Sequence, residues 1–330
     1  MDNEMNKFVK IALVSLLPLV SSQTVVAQEK TAVDMINLFE KLAGKQPGFR
    51  KAHARGVCAS GEFMPNKSLS NYSTSELFKT DKVPATIRFS LGGGNPMADE
   101  RAPGARGMAI QLKLPSGAMH NIVGNSTPVF AAKDPDTFFG FLETLIPGED
   151  GKVDMRKVGQ YVATHPSTQP AAAWQRTAKT PYSYANTEFF GLHTFFMNDS
   201  NGNETKFRWH TTPDLGVKVI EKEALATLEN GFLEKHLTEQ FANETISYTI
   251  SISLGRKEDT NIDPSQAWPA DRPTEVMGKL TLTSVGGKAC DSINFDPNVI
   301  SAGFKSSDDP VLRMRSPAYA VSFGKRLSGQ

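Results

Sequence analysis

Hydrophobic and polar positions follow two periods along this chain, and the changes of period divide it into elements. Ala32 to Ala43 places Val33, Ile36, Leu38, Phe39 and Leu42 at helical spacing, and Gly44 and Pro47 end the run. From about Arg50 the pattern turns to strands. Ala85–Ser90 and Gly107–Leu114 are β-prone runs bounded by turns, and Pro115-Ser-Gly-Ala links the second to Met119–Val123 as a hairpin. Pro135–Leu145 and Met155–Thr164 return to the helical period. Phe189–Met197 and Thr205–Thr211 read as a strand pair across Asn198-Asp-Ser-Asn-Gly202. Lys218–Phe241 reads as one helical stretch. Glu244–Leu254 alternates Ile246, Tyr248, Ile250 and Ile252 with polar residues, as a half-buried strand does. Asp263–Pro273 is irregular, Met277–Thr283 is a last short strand, and a sparsely structured arm runs from Phe295-Asp-Pro297 to Tyr319.

Antiparallel strands with interspersed helices predict an α+β fold whose sheet is large enough to close into a barrel. There is no internal repeat or heptad. Gly92-Gly-Gly94 follows a strand, but neither a phosphate-loop lysine nor dinucleotide-binding spacing follows it, so it reads as loop.

Composition narrows the class. The chain has 330 residues, 39% hydrophobic and 22% charged, which suits a globular protein with a sizeable core. A formal net charge of +1 gives no field that would recruit nucleic acid or an anionic membrane. At the N-terminus, Lys7 and Lys10 precede the apolar run Ile11–Val20, which is too short to span a bilayer comfortably, and Val25-Val-Ala27 offers a cleavage site before Gln28; an uncleaved membrane anchor is the alternative. The expectation is a signal peptide over residues 1–27 and a single domain over 28–330. The mature chain is then exported, most simply to a bacterial periplasm, without stable membrane association.

Cys58 and Cys290 are too far apart to form a disulfide framework or a metal signature. An exported chain could oxidise them, but two free thiols in or near the core are the expectation. Reading His53 as part of a strand puts Cys58 on the opposite face from any pocket containing His53.

Three separated segments carry candidate chemistry: Arg50-Lys-Ala-His53-Ala-Arg-Gly56, Val123-Gly-Asn125-Ser-Thr-Pro-Val-Phe130 and Arg315-Ser-Pro-Ala-Tyr319. A neutral histidine can carry a proton between two oxygens of one substrate, as base and then acid. Tyrosine ionises near pH 10 in water, so a phenolate ligand needs a metal and usually a nearby cation. Arg315, four residues before Tyr319, points the same way on one helical turn. Taken singly, His53 would be a packed histidine, Asn125 a turn residue before Pro128 and Tyr319 a core residue. The spacing of the other histidines suggests no zinc site.

From about Phe49 to Arg326 the chain resembles the haem catalases, most closely their short members, the catalase-related peroxidases. Ala85-Thr-Ile-Arg-Phe-Ser90, Arg106-Gly-Met-Ala109, Lys133-Asp-Pro135, Trp268-Pro269, Gly278-Lys-Leu280 and Asn294-Phe-Asp-Pro297 support the three segments, all in family order. The resemblance implies an antiparallel eight-stranded β-barrel with helical insertions and a wrapping C-terminal arm. It implies haem b, with its iron held by Tyr319 and charge-partnered by Arg315. It further implies His53 as the distal acid/base, Ser90 as the hydroxyl fixing its tautomer, Asn125 as the amide polarising peroxide and Phe138 as the aromatic at the distal haem face. Arg50, Arg88 and Arg326 are implied at the propionates or the haem edge.

Two departures from large catalases bear on activity. The extra segments that interlock a tetramer are largely missing, so a monomer or dimer is expected, without a reduced-nicotinamide site. A branched aliphatic residue at the channel's narrow point corresponds here to Gly92, and a channel aspartate corresponds to a residue near Gly104. The expected function is therefore reduction of hydrogen peroxide or organic hydroperoxides by a small organic reductant. Dismutation by a minimal catalase, hydroperoxide isomerisation of the allene oxide synthase type, and haem carriage are the alternatives.

Overall fold

The computed structural model describes residues 29–330; the expected signal peptide lies outside the described residues. The strands are β1 (Gly56–Pro65), β2 (Val83–Leu91), β3 (Arg106–Lys113), β4 (Met119–Asn125), β5 (Phe189–Phe190), β6 (Phe195–Asn198), β7 (Glu204–Pro213), β8 (Ser247–Leu254), β9 (Thr274–Val285) and β10 (Phe304–Ser306). The α-helices are α1 (Ala32–Ala43), α2 (Pro135–Thr144), α3 (Met155–Thr164), α4 (Gln169–Thr177), α5 (Lys222–Leu225), α6 (Phe232–Asn243) and α7 (Pro310–Leu327).

Antiparallel pairing runs β1-β2-β3-β4-β5-β7-β8-β9 and returns from β9 to β1, so eight strands close a barrel. β6 extends the β5 edge of β7 and carries β10. Strand alternation then divides the side chains. Ile87, Phe89, Met108, Ile110, Ile122, Tyr248, Ile250 and Leu280 fill the core. Arg88, Ser90, Ala109, Val123 and Asn125, from the alternate positions of β2, β3 and β4, line a cavity on the outer face of the barrel. α1, α2 and α7 cover that cavity.

Capping residues fix the covering helices. Thr31 and Asp34 form a capping box on α1. Asp134 caps α2, and Asp309 caps α7 by accepting from the N–H groups of Val311 and Leu312.

Several expectations are corrected. Lys218–Phe241 is not one helix: α5 and α6 are separated by a turn ending at Gly231, whose φ of 110° is left-handed. The run Phe189–Met197 breaks into β5 and β6 after Phe190; the next residue, Gly191, lies against the Trp209 ring, where a Cβ would come within 2.4 Å. The C-terminal arm ends in the 18-residue helix α7, which continues through Pro317. His53 lies in a bend before β1 rather than in a strand, so the two-face argument from its spacing to Cys58 fails. Cys58 is opposite Arg88 in the β1–β2 register and packs with Ala109, Val123 and Phe295, all of which line the cavity; it is on the cavity side of the sheet. The two cysteines are not free thiols. Cys58 and Cys290 form a disulfide with Cα atoms 5.4 Å apart, since barrel closure brings together residues separated by 232 positions.

Candidate functional site

The cavity has a volume of about 590 Å³. His53 and Ser90 stand on one side of it, Arg315 and Tyr319 on α7 at another. Val311, Met314, Arg315, Ala318, Tyr319 and Ser322 form one face of that helix, and all of them line the cavity.

His53 has a φ of 52°, the only positive value for a non-glycine among the described residues. Such strain persists where surroundings over-determine it, and it clusters at functional sites. His53 Nδ1 is 3.0 Å from Ser90 Oγ, which leaves Nε2 as the nitrogen for the cavity. Room for this pair depends on Gly107, where a Cβ would lie 2.6 Å from Ser90 Oγ and 2.8 Å from His53 Nδ1. The ring is half-buried because it lines the cavity, but protein surrounds it. Burial first, then the positive charges of Arg88, Arg315 and Arg50, push its pKa down to about 3, so His53 is neutral.

Asn125 ends β4. Its Oδ1 accepts from both the backbone N–H and the hydroxyl of Thr127, which identifies that atom as oxygen and leaves Nδ2 as a donor for the cavity. Asn125 thus both turns the chain and lines the site. Phe138, in the first turn of α2, packs against Phe130 with ring centroids 4.7 Å apart and against Phe39 at 6.5 Å.

On α7, Arg315 Nη2 donates to Tyr319 Oη at 2.7 Å. Arg315 Nη1 is 3.3 Å from His193 Nε2, and His193 Nδ1 is 2.6 Å from Asp309 Oδ2. A guanidinium only donates, so His193 Nε2 accepts and Nδ1–H donates to Asp309. Burial lowers the pKa of His193 against the opposing pull of Asp309. In the sequence, His193 reads as a surface, turn or core residue. Neither it nor Asp309 stands in any local motif with Tyr319, and only the fold joins them.

The three arginines differ. Arg88 is buried and donates to Ala54 O at 3.1 Å; burial lowers its pKa to about 10. A Cβ on Gly56 would come within 2.8 Å of the Arg88 guanidinium carbon, which explains that glycine. Arg50 lines the cavity and donates to backbone carbonyls. Burial, followed by repulsion from Arg88 and Arg326, lowers its pKa to about 9. Arg326 does not line the cavity; its guanidinium lies 4.9 Å from the Phe323 ring centroid, and its Nη2 is buried without a partner. None of the three forms a salt bridge among the described residues. Arg50 and Arg88, cavity-lining cations without a carboxylate partner among the described residues, fit the carboxylates of a haem, apolar walls from α1 and α2 fit its ring, and the Tyr319 oxygen fits a metal.

Gly92, Gly93 and Gly94 line the cavity and present no side chain to it; Gly104 does not line it.

The catalase family model matches residues 20–330. The chain is 36% identical over 335 residues to a catalase-related peroxidase of Synechococcus elongatus, covering 99% of this chain and 98% of that protein. It is 30% identical to a catalase-related peroxidase of Mycolicibacterium paratuberculosis, covering 87% of this chain and 92% of that protein. Catalase A from Saccharomyces cerevisiae superposes with a TM-score of 0.77 at 21% identity, over 98% of this chain and 68% of that one. At that identity the likeness is one of fold. With the full-length relatives and the family match, it shows that the chain belongs to the catalase family, whose members depend on haem.

Proposed function

We propose that this protein is a haem-dependent peroxidase that reduces hydrogen peroxide or organic hydroperoxides with a small organic electron donor. The observation that carries the reading is a neutral, serine-tethered histidine sharing one cavity with a tyrosine whose oxygen receives an arginine N–H. The two full-length relatives named catalase-related peroxidases support it.

Haem b fits the site, with Tyr319 Oη as the iron ligand and Arg50 and Arg88 toward its carboxylates. When bound, its iron supplies the redox chemistry of O–O cleavage. The chain supplies the rest. His53 Nε2 takes a proton from one peroxide oxygen and returns it to the other, while Ser90 holds Nδ1. Asn125 Nδ2 donates to the peroxide, and Thr127 keeps it so oriented. Arg315, itself oriented by His193 and Asp309, supplies the positive charge that a phenolate ligand needs.

The side-chain-free edge at Gly92–Gly94 favours entry of organic molecules over confinement of a second hydrogen peroxide. Peroxide consumption by haem-loaded protein should depend on an organic donor. Oxygen evolution without a donor, at rates like those of a large catalase, would establish the minimal catalase instead.

The reading includes export to a periplasm and a monomeric or dimeric state. The disulfide supports an oxidising compartment. Fractionation of expressing cells tests the first point and light scattering the second.

A further inference from the structure

The Cys58–Cys290 disulfide fixes the segment on which Arg50 rests. The carbonyl oxygens of Cys290, Asp291 and Ile293 lie 3.1, 3.4 and 2.8 Å from Arg50 Nη2. Phe295 packs beside the disulfide, and its ring centroid is 5.9 Å from the Arg50 guanidinium carbon. Just upstream, Gly286 and Gly287 have left-handed φ values of 90° and 74°, and the residues from Gly287 to Ala289 are exposed. This segment leaves β9 by a glycine turn and is next fastened at Cys290. Arg50 needs a firm hold, because Arg88 and Arg326 repel it and no carboxylate forms a salt bridge to it among the described residues.

We propose that the Cys58–Cys290 disulfide is a positioning element for Arg50, and through Arg50 sets how tightly the cavity holds an anionic group. The inference rests on the haem reading for the identity of that group, the haem carboxylates. It assigns the disulfide a role at the site distinct from chain stabilisation, because the carbonyls that receive Arg50 belong to the bonded residue, the next residue and one three positions on.

The test is the rate of haem transfer from loaded protein to excess apomyoglobin, for wild type, Arg50→Gln, Cys58→Ala/Cys290→Ala and the combined variant. Loss of a charge-assisted contact predicts transfer faster by about tenfold or more in Arg50→Gln. The cysteine pair should approach that rate, and the combined variant should be no faster than Arg50→Gln alone. Effects that multiply, or a cysteine pair that transfers haem at the wild-type rate, would overturn the inference while leaving the haem reading intact. Protein that takes up no haem contradicts both.

Native wild type treated with a water-soluble phosphine tests the same point without substitution. Each disulfide becomes two thiols and the phosphine becomes its oxide with oxygen from water, with thiols counted by alkylation. The reduced protein should transfer haem faster, and an unchanged rate at full reduction would overturn the inference.

Discussion

His53 holds its place by opposing demands: a left-handed backbone, a tether to Ser90 and three arginines near enough to depress its basicity. The pH consequence has a definite sign. The folded pKa, about 3, lies below the unfolded value near 6.5, so the unfolded chain binds the proton first. The stability held above pH 6.5 is lost as pH falls from there toward 3. Buried His120, lowered to about 4, adds in the same direction. Urea unfolding of the apoprotein at pH 7 and pH 5 should show lower stability at pH 5, and His53→Gln should narrow the difference. An equal difference in the variant would contradict the assignment. At Gly92, a Cβ would meet only Ala105 O, at 3.5 Å. Gly92→Val should therefore fold normally. It should lower kcat/KM for bulky donors or alkyl hydroperoxides more than for hydrogen peroxide. Equal losses in steady-state assays would remove Gly92 as a determinant of access. His53, Ser90, Asn125, Arg315 and Tyr319 were legible because short motifs carry them. His193 and Asp309 were not: they are 116 positions apart and meet only when α7 packs beside the segment between β5 and β6.

At the scale of elements, α7 carries the Arg315–Tyr319 pair, and Asp309 does two jobs with its two oxygens. One caps the helix; the other holds His193. Asp309→Ala should destabilise the protein by about 2 kcal/mol or more, from the lost cap and the unpaired buried imidazole N–H. Thermal melting gives that figure, and a shift within error would refute the double role. Gly107→Ala on β3 pushes a methyl between Ser90 and His53 and should cost about 1–3 kcal/mol. It should also slow the reaction with peroxide in stopped-flow measurement; an unaffected reaction would show that the His53–Ser90 contact is dispensable. Periodicity located α1 and α3 at their observed bounds, because each has a clean start and stop. It missed α7, reading a sparsely structured arm there; the helix has Pro310 at its start, where proline is tolerated, and continues through Pro317. It joined α5 to α6 because the Asn230-Gly231 turn sits within an otherwise helical composition.

For the molecule as a whole, the barrel is a wall with two uses. Its inner face is the core, and the alternate residues of β2, β3 and β4 supply the cavity from outside. Alternation along single strands was readable in the sequence, and the family resemblance implied the eight-stranded barrel; which strands close it was not readable from periodicity, since β1 pairs with β9 across most of the chain. The disulfide was unreadable for the same reason. Closing so long a loop stabilises the fold by about 5 kcal/mol on the chain-entropy account.

The central claim is that Tyr319 provides the metal ligand. The visible absorption spectrum of wild type and Tyr319→Phe, each purified with haem supplied, tests it most directly. A high-spin ferric spectrum of the tyrosinate type in wild type, lost or altered in the variant, is the predicted result. No haem uptake by wild type, or an identical spectrum in Tyr319→Phe, would contradict the account.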